Sequence, residues 1–200
     1  MGGSLDRDGL TCLLAGEAAF VVETDEGAPP EPAHGWVPVA VPRALFALSL
    51  STRLAWAAQP AAAVCDALLR LGVLDKASRG TVELCLHEAV ANAIVHGNLG
   101  IASAAKNHPE GYETFGRLLA ERLADPDRRR LRLDIVARWD GGCLDILVAD
   151  EGAGFDRALL PLEADGNSRS GRGFVFMRAL AAAVDVTDGG RCTRLRFPLA

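Results

Sequence analysis

Apolar residues in the middle of the chain recur at helical spacing. Val82, Leu86, Ala89, Val90 and Ala93 fall on one side of a helix turning ~100° per residue. The stretch ELCLHEAVANAIVHGN, residues 83–98, therefore reads as a helix with one buried side. Its other side is polar: Glu88, Asn92 and His96 are each about 40° from the next, so their side chains project together. Gly97 reads as the end of this helix, closing it in a left-handed turn, and Ser78 as a cap at its start. A different rhythm follows. Leu131, Leu133, Ile135, Ala137 and Trp139 alternate with polar residues, which predicts a strand. Asp140-Gly141-Gly142 makes a turn and Cys143 to Ala149 returns, completing a β-hairpin.

The same rules place the other elements. Ala44 to Ser51 is a strand. Pro60 to Leu71 is an alanine- and leucine-rich helix with proline in its first turn, and Gly72 ends it. Residues 100–109 form a loop. Tyr112 to Ala124 is a charged amphipathic helix stopped by Asp125-Pro126, and Gly173 to Ala183 is another helix. Val184 to Thr187 and Thr193 to Phe197 pair across Asp188-Gly189-Gly190. Residues 10–23 read as two short strands around Gly16, and residues 24–38, rich in Pro, Gly and acids, as a linker. The expected architecture is α+β, a two-layer sandwich with helices on one face of a mixed, mostly antiparallel sheet. Residues 1–40 are expected to be an appendage, either an edge hairpin or a dimer contact. Residues 41–200 are the main domain.

Composition narrows the function. Two hundred residues, half of them hydrophobic, suffice for one well-filled core. A net charge of −5 argues against nucleic acid as the main partner. Arg128-Arg129-Arg130 is balanced by Asp125 and Asp127 and reads as a solvated loop. Five scattered cysteines without a CxxC pair point away from disulfides and zinc, towards a reducing cytoplasm. The N-terminus lacks an apolar signal core, and prolines and arginines interrupt Trp36 to Val64, so no membrane helix is expected. His87-Glu88 begins a metalloprotease-like pattern, but Ala91 occupies the required second histidine position. His87 also lacks the helical hairpin that surrounds a phosphoacceptor histidine.

Two further stretches carry chemistry. Asp150-Glu151-Gly152-Ala153-Gly154-Phe155 follows a strand directly, where glycines let backbone approach a ligand and Asp150 can accept a hydrogen bond from an exocyclic amine. Ser170-Gly171-Arg172-Gly173-Phe174 opens a helix whose free amides suit an anion, with Arg169 and Arg172 as charged donors to phosphate oxygens. Neither a Walker A sequence nor a GxGxxG turn in a βαβ setting is present.

In this order, Glu88-xxx-Asn92, Asp150-x-Gly152-x-Gly154 and Gly171-x-Gly173 resemble the N, G1 and G2 boxes of the gyrase and histidine-kinase ATPase superfamily (Bergerat fold). LHEAVANAIVHGN and RSGRGFVFMRALAAAVD are similar to the matching segments of bacterial anti-sigma factor serine/threonine kinases of the partner-switching type. The resemblance covers about residues 44–199. It implies ATP and Mg²⁺ as cofactors, Asn92 as the Mg²⁺ ligand through its amide oxygen, and Glu88 as general base. Asp150 and Thr193 would meet adenine, and Gly152, Gly154, Phe155, Gly171 and Gly173 would shape the loops around the phosphates; His96, read from its place on the helix, either caps the helix or lines the pocket. Residues 156–170 would be the ATP lid. The implied partners are a small anti-sigma-factor antagonist, which is phosphorylated, and a sigma factor or similar regulator, which is held; the sequence leaves open whether the chain forms a homodimer. The long segment 98–130 resembles instead the ATPase-like domains linked to stress-response phosphatases. Two other functions fit the same ligand: an ATP-sensing binding module with little catalysis, and a detached catalytic domain for histidine phosphorylation. Glu88 favours the kinase, because a pure binder needs no base.

Overall fold

The structure, a computed structural model, describes residues 6–15, 20–22, 45–102, 111–155 and 172–199. In chain order the elements are α1 (Arg7–Leu14), β1 (Phe20–Val22), β2 (Leu45–Ser51), α2 (Thr52–Ala58), α3 (Ala61–Arg70), α4 (Lys76–Asn92), α5 (Gly111–Ala124), α6 (Pro126–Arg130), β3 (Arg132–Trp139), β4 (Cys143–Asp150), α7 (Arg172–Leu180), β5 (Ala183–Thr187) and β6 (Cys192–Pro198). Six strands form one sheet in the order β1-β2-β3-β4-β6-β5. All neighbours are antiparallel except β1, which lies parallel to β2 at one edge.

Strand alternation divides the sheet into two faces. Leu48, Leu50, Leu133, Ile135, Leu144, Ile146, Val148, Leu195 and Phe197 point to one side and join Leu10, Val64, Leu68, Leu86, Ile94 and Met177 of the helices in one core. The other side mixes apolar residues such as Leu45, Val136 and Ala149 with paired polar ones. Arg196 makes a two-pronged bond to Asp145 at 2.7 and 2.8 Å, and Arg194 bonds Asp185 at 2.8 Å. Ser49 donates to the buried Asp134 and accepts from the Arg132 guanidinium at 2.9 Å. The expected two-layer α+β sandwich is the observed fold. Among the described residues no helix is long and apolar enough to cross a membrane.

Several local expectations change. Residues 7–14 are a helix rather than a strand: Asp6 caps it, accepting from Gly9 N at 2.9 Å, and Leu10 and Leu14, one turn apart, are both buried. Arg70 donates to the Leu14 carbonyl at 2.7 Å, tying α1 to α3. The segment expected to be an appendage thus contributes side chains to the common core and, through β1, an edge strand. Residues 24–38 lie outside the described residues.

The cap of α4 is Asp75, not Ser78; its carboxylate accepts from both the amide and the hydroxyl of Ser78 at 2.7 Å. The arginine run is a helical turn rather than a loop, because Asp125 caps it and Pro126 pre-sets its first residue. Tyr112 to Ala124 is helical as expected, and Trp56 and Trp139 pack against the core.

Truncating Leu10, which is 0% exposed, should destabilise the protein by about 2–5 kcal/mol in urea unfolding; a change below 0.5 kcal/mol would show that α1 is not part of the cooperative core. The Arg196 guanidinium bonded to Asp145 holds that carboxyl below its ordinary value. A depressed folded pKa favours folding above the unfolded value and is lost as pH falls through the folded one. The stability difference between wild type and Asp145→Asn should therefore be full near neutrality and shrink below about pH 4, read by urea titrations at several pH values.

Candidate functional site

The site forms where the end of α4, the end of β4 and the start of α7 meet. The α4 helix does not stop at Gly97. It runs on into a π-helical turn, Ala93–Asn98, closed by Leu99 N to Ile94 O at 2.9 Å and Ile101 N to Val95 O at 2.9 Å. The left-handed residue is Gly100, with φ +61°, so Gly97 is glycine for another reason. A Cβ on Gly97 would land on the Asp150 carboxylate, and a Cβ on Gly152 would land on the Gly97 backbone. The end of the helix and the loop after β4 are therefore in backbone contact, with Asp150 wedged between them.

Asp150 is 5% exposed. One of its oxygens accepts from Gly152 N at 2.9 Å, which curls the loop back over the strand end. Thr193 on β6 faces the same side of the sheet; its register partners there, Val148 and Val186, are apolar, so this buried hydroxyl interrupts a hydrophobic row. Asp150 lies two residues beyond Val148 on β4, diagonally next to Thr193. A carboxylate and a hydroxyl thus share one buried corner.

Further along the loop, Gly154 has φ +74°, and a Cβ there would strike the Gly189 carbonyl. Phe155 N donates to that carbonyl at 2.9 Å. Gly190, with φ +93°, leaves room for Phe155, whose ring meets Phe174 edge-on at 6.0 Å. Phe155 accordingly pins the loop to the β5–β6 turn and to α7.

On the other side of the site, Gly173 faces α4. A Cβ on it would sit 2.5 Å from Glu88 Oε2 and 3.5 Å from Asn92 Nδ2. The Glu88 carboxylate, the Asn92 amide and the start of α7 are thus neighbours. Asn92 Nδ2 is buried without a hydrogen-bond partner among the described residues, an arrangement that costs roughly 1–3 kcal/mol unless another group supplies one. Glu88 also leaves an electrostatic mark: burial, with its negative charge adding, pushes the Cys85 thiol up to about 11. Burial likewise raises the Cys192 thiol, with Asp188 and Asp150 adding to it.

The predicted residues fall into four groups. Glu88, Asn92 and Gly173 meet on one side; Asp150, Gly152, Gly154 and Thr193 line the other. His96 departs from the expected stripe: the wider π turn carries it out of step with Glu88 and Asn92, and its Nδ1 lies 2.6 Å from the Ile101 carbonyl, where it braces the following loop. Arg169, Gly171 and the proposed lid lie outside the described residues, as does the side chain of Arg172.

One residue was missed. Asn98 is 0% exposed and ties four elements together. Its amide donates to Thr52 Oγ1 at 2.8 Å and to the Arg132 carbonyl at 2.9 Å, its side-chain oxygen accepts from Glu151 N at 2.9 Å, and its carbonyl accepts from Arg128 at 3.1 Å. Glu151 in turn accepts from Arg132 N at 2.6 Å. A polar residue just beyond an apolar helical run was the available signal.

Glycine-lined loops, an acid at a strand end, and a Glu/Asn pair facing a helix start thus lie together at one end of an α+β sandwich. Residues 50–197 match the model of the histidine kinase-like ATPase domain. The chain belongs to that family, and ATP binding follows from the membership. A search of curated proteins found no match.

Substituting Gly97 provides a test with opposed signs. At an ordinary helical glycine, alanine stabilises by about 0.5–1 kcal/mol. Here the added methyl meets the Asp150 carboxylate, so Gly97→Ala should lower the melting temperature and weaken ATP binding at least ~10-fold in calorimetry. A stabilised variant with unchanged affinity would contradict the contact.

Proposed function

We propose that the protein is an ATP- and Mg²⁺-dependent serine/threonine protein kinase of the anti-sigma factor type. It phosphorylates a small antagonist protein and, in its other state, holds a sigma factor or similar regulator. The observation that carries this reading is the grouping of Glu88 with the unpartnered Asn92 amide against Gly173.

In this reading Glu88 takes the proton from the acceptor hydroxyl as its oxygen bonds the γ-phosphorus and the bond from that phosphorus to the β–γ bridging oxygen breaks, releasing ADP. Asn92 would hold Mg²⁺ through its neutral amide oxygen, and the bound cation would supply neutralisation of the developing phosphate charge. Asp150 accepts from the adenine amino group, with the Thr193 hydroxyl beside it. Gly152, Gly154 and Gly173 let the loop after β4 and the start of α7 close onto Gly97, Gly189 and Glu88, which shapes the walls around the phosphates. Positioning and charge neutralisation supply most of the rate in such transfers, so the chain's main task is to hold these groups still.

The test is phosphate transfer from labelled ATP to a partner captured by the protein, followed by mass spectrometry for phosphoserine or phosphothreonine. Glu88→Ala should lower the transfer rate by about 10²–10⁴-fold and leave ATP affinity within a few-fold of wild type. Transfer at the wild-type rate in that variant removes Glu88 as the base. ATP binding with no transfer to any captured partner makes the protein a nucleotide-gated binding module.

A further inference from the structure

We infer that Asn98 is the positioning residue for base selection: it sets Asp150 at the depth and angle needed to tell an amino group from a carbonyl on the purine. The inference rests on the reading above, in which Asp150 meets adenine.

Asn98 touches the reader from two sides along the backbone. Its side-chain oxygen holds the amide of Glu151, the residue after Asp150, at 2.9 Å. Its chain neighbour Gly97 is the surface against which the Asp150 carboxylate lies. Gly152, whose amide holds Asp150 Oδ1 at 2.9 Å, is itself pressed on the Gly97 backbone. Any shift of Asn98 therefore displaces both the wall and the carboxylate.

Asn98 in turn has little freedom. With both ends of its amide engaged and 0% of its surface exposed, it can neither rotate nor move without losing buried bonds. Its two donors are anchored to parts of the fold outside the pocket: the Thr52 hydroxyl, itself bonded to the Leu131 carbonyl at 2.8 Å, and the Arg132 carbonyl at the start of β3. The acceptor alone reaches the loop after β4. Anchoring and positioning are thus separate atoms of one side chain, and substitutions can separate them.

The experiment compares ATP with ITP, which carries a carbonyl in place of the amino group, by calorimetry on the full chain. A carboxylate aimed at that position rejects ITP, and wild type should bind ATP about a hundredfold more tightly. Asn98→Ala should lower that ratio at least about fivefold, together with the melting temperature. Thr52→Val, which removes an anchor and leaves the Glu151 bond in place, should lower the melting temperature and keep the wild-type ratio.

If Asn98→Ala does not fold, Asn98→Ser is measured instead; it keeps one polar atom but withdraws the acceptor from Glu151, and the same loss of ratio is expected. A wild-type ratio in folded Asn98→Ala or Asn98→Ser overturns the inference, as does an equal loss in Thr52→Val. A wild type that binds ATP and ITP equally removes the role of Asp150 itself, a failure distinguishable from the first because it appears before any substitution.

Discussion

The site depends on one close approach: the backbone at the end of the α4 helix lies directly on the loop after β4. Gly97 and Gly152 make this contact possible, and Asp150 is trapped in it. A methyl group on either glycine would pry the helix end from the strand end. Much else follows from keeping these two backbones together. The π turn extends the helix as far as Asn98, so that Asn98 can bond Glu151; Gly154 and Gly190 repeat the same economy where the loop meets the β5–β6 turn.

The two asparagines of this helix show how burial assigns different roles to one side chain. Asn98 has both ends of its amide bonded within the protein. Asn92 leaves a buried nitrogen without a partner among the described residues, next to Glu88 and Gly173. A fold does not normally tolerate such a vacancy in its interior, because the lost hydrogen bond is not returned elsewhere. Its presence beside a helix start fits a pocket whose polar contacts are completed by what it binds.

Much of this was legible in the sequence. Period-two alternation located β3 and β4, and the Glu88/Asn92 spacing located the polar face of α4, because both signals are local and depend only on strand and helix geometry. Other features were hidden for physical reasons. Residues 10–14 are apolar enough to pass for a strand, and only the cap at Asp6 and the spacing of Leu10 and Leu14 mark a helix. Gly97 looked like a helix terminator because glycine has two uses, left-handed backbone and close approach, and sequence alone does not separate them. The π turn moved His96 off its expected face, since an inserted residue per turn leaves no trace in composition. Asn98 went unnoticed because its four partners come from distant parts of the chain. The parallel pairing of β1 with β2 was equally invisible, being fixed by tertiary contacts.

The thiols have a practical consequence. Cys65 and Cys85 are buried, with their thiols pushed up to about 12 and 11, and Cys192 is shifted in the same direction. Near neutrality these groups stay protonated and poorly nucleophilic. Cys12, by contrast, is exposed on α1, a helix that contributes no residue to the pocket. A maleimide dye added to the native protein would therefore meet Cys12 as the most open thiol, with the half-buried Cys143 as its competitor, giving a fluorescent handle away from Glu88 and Asn92.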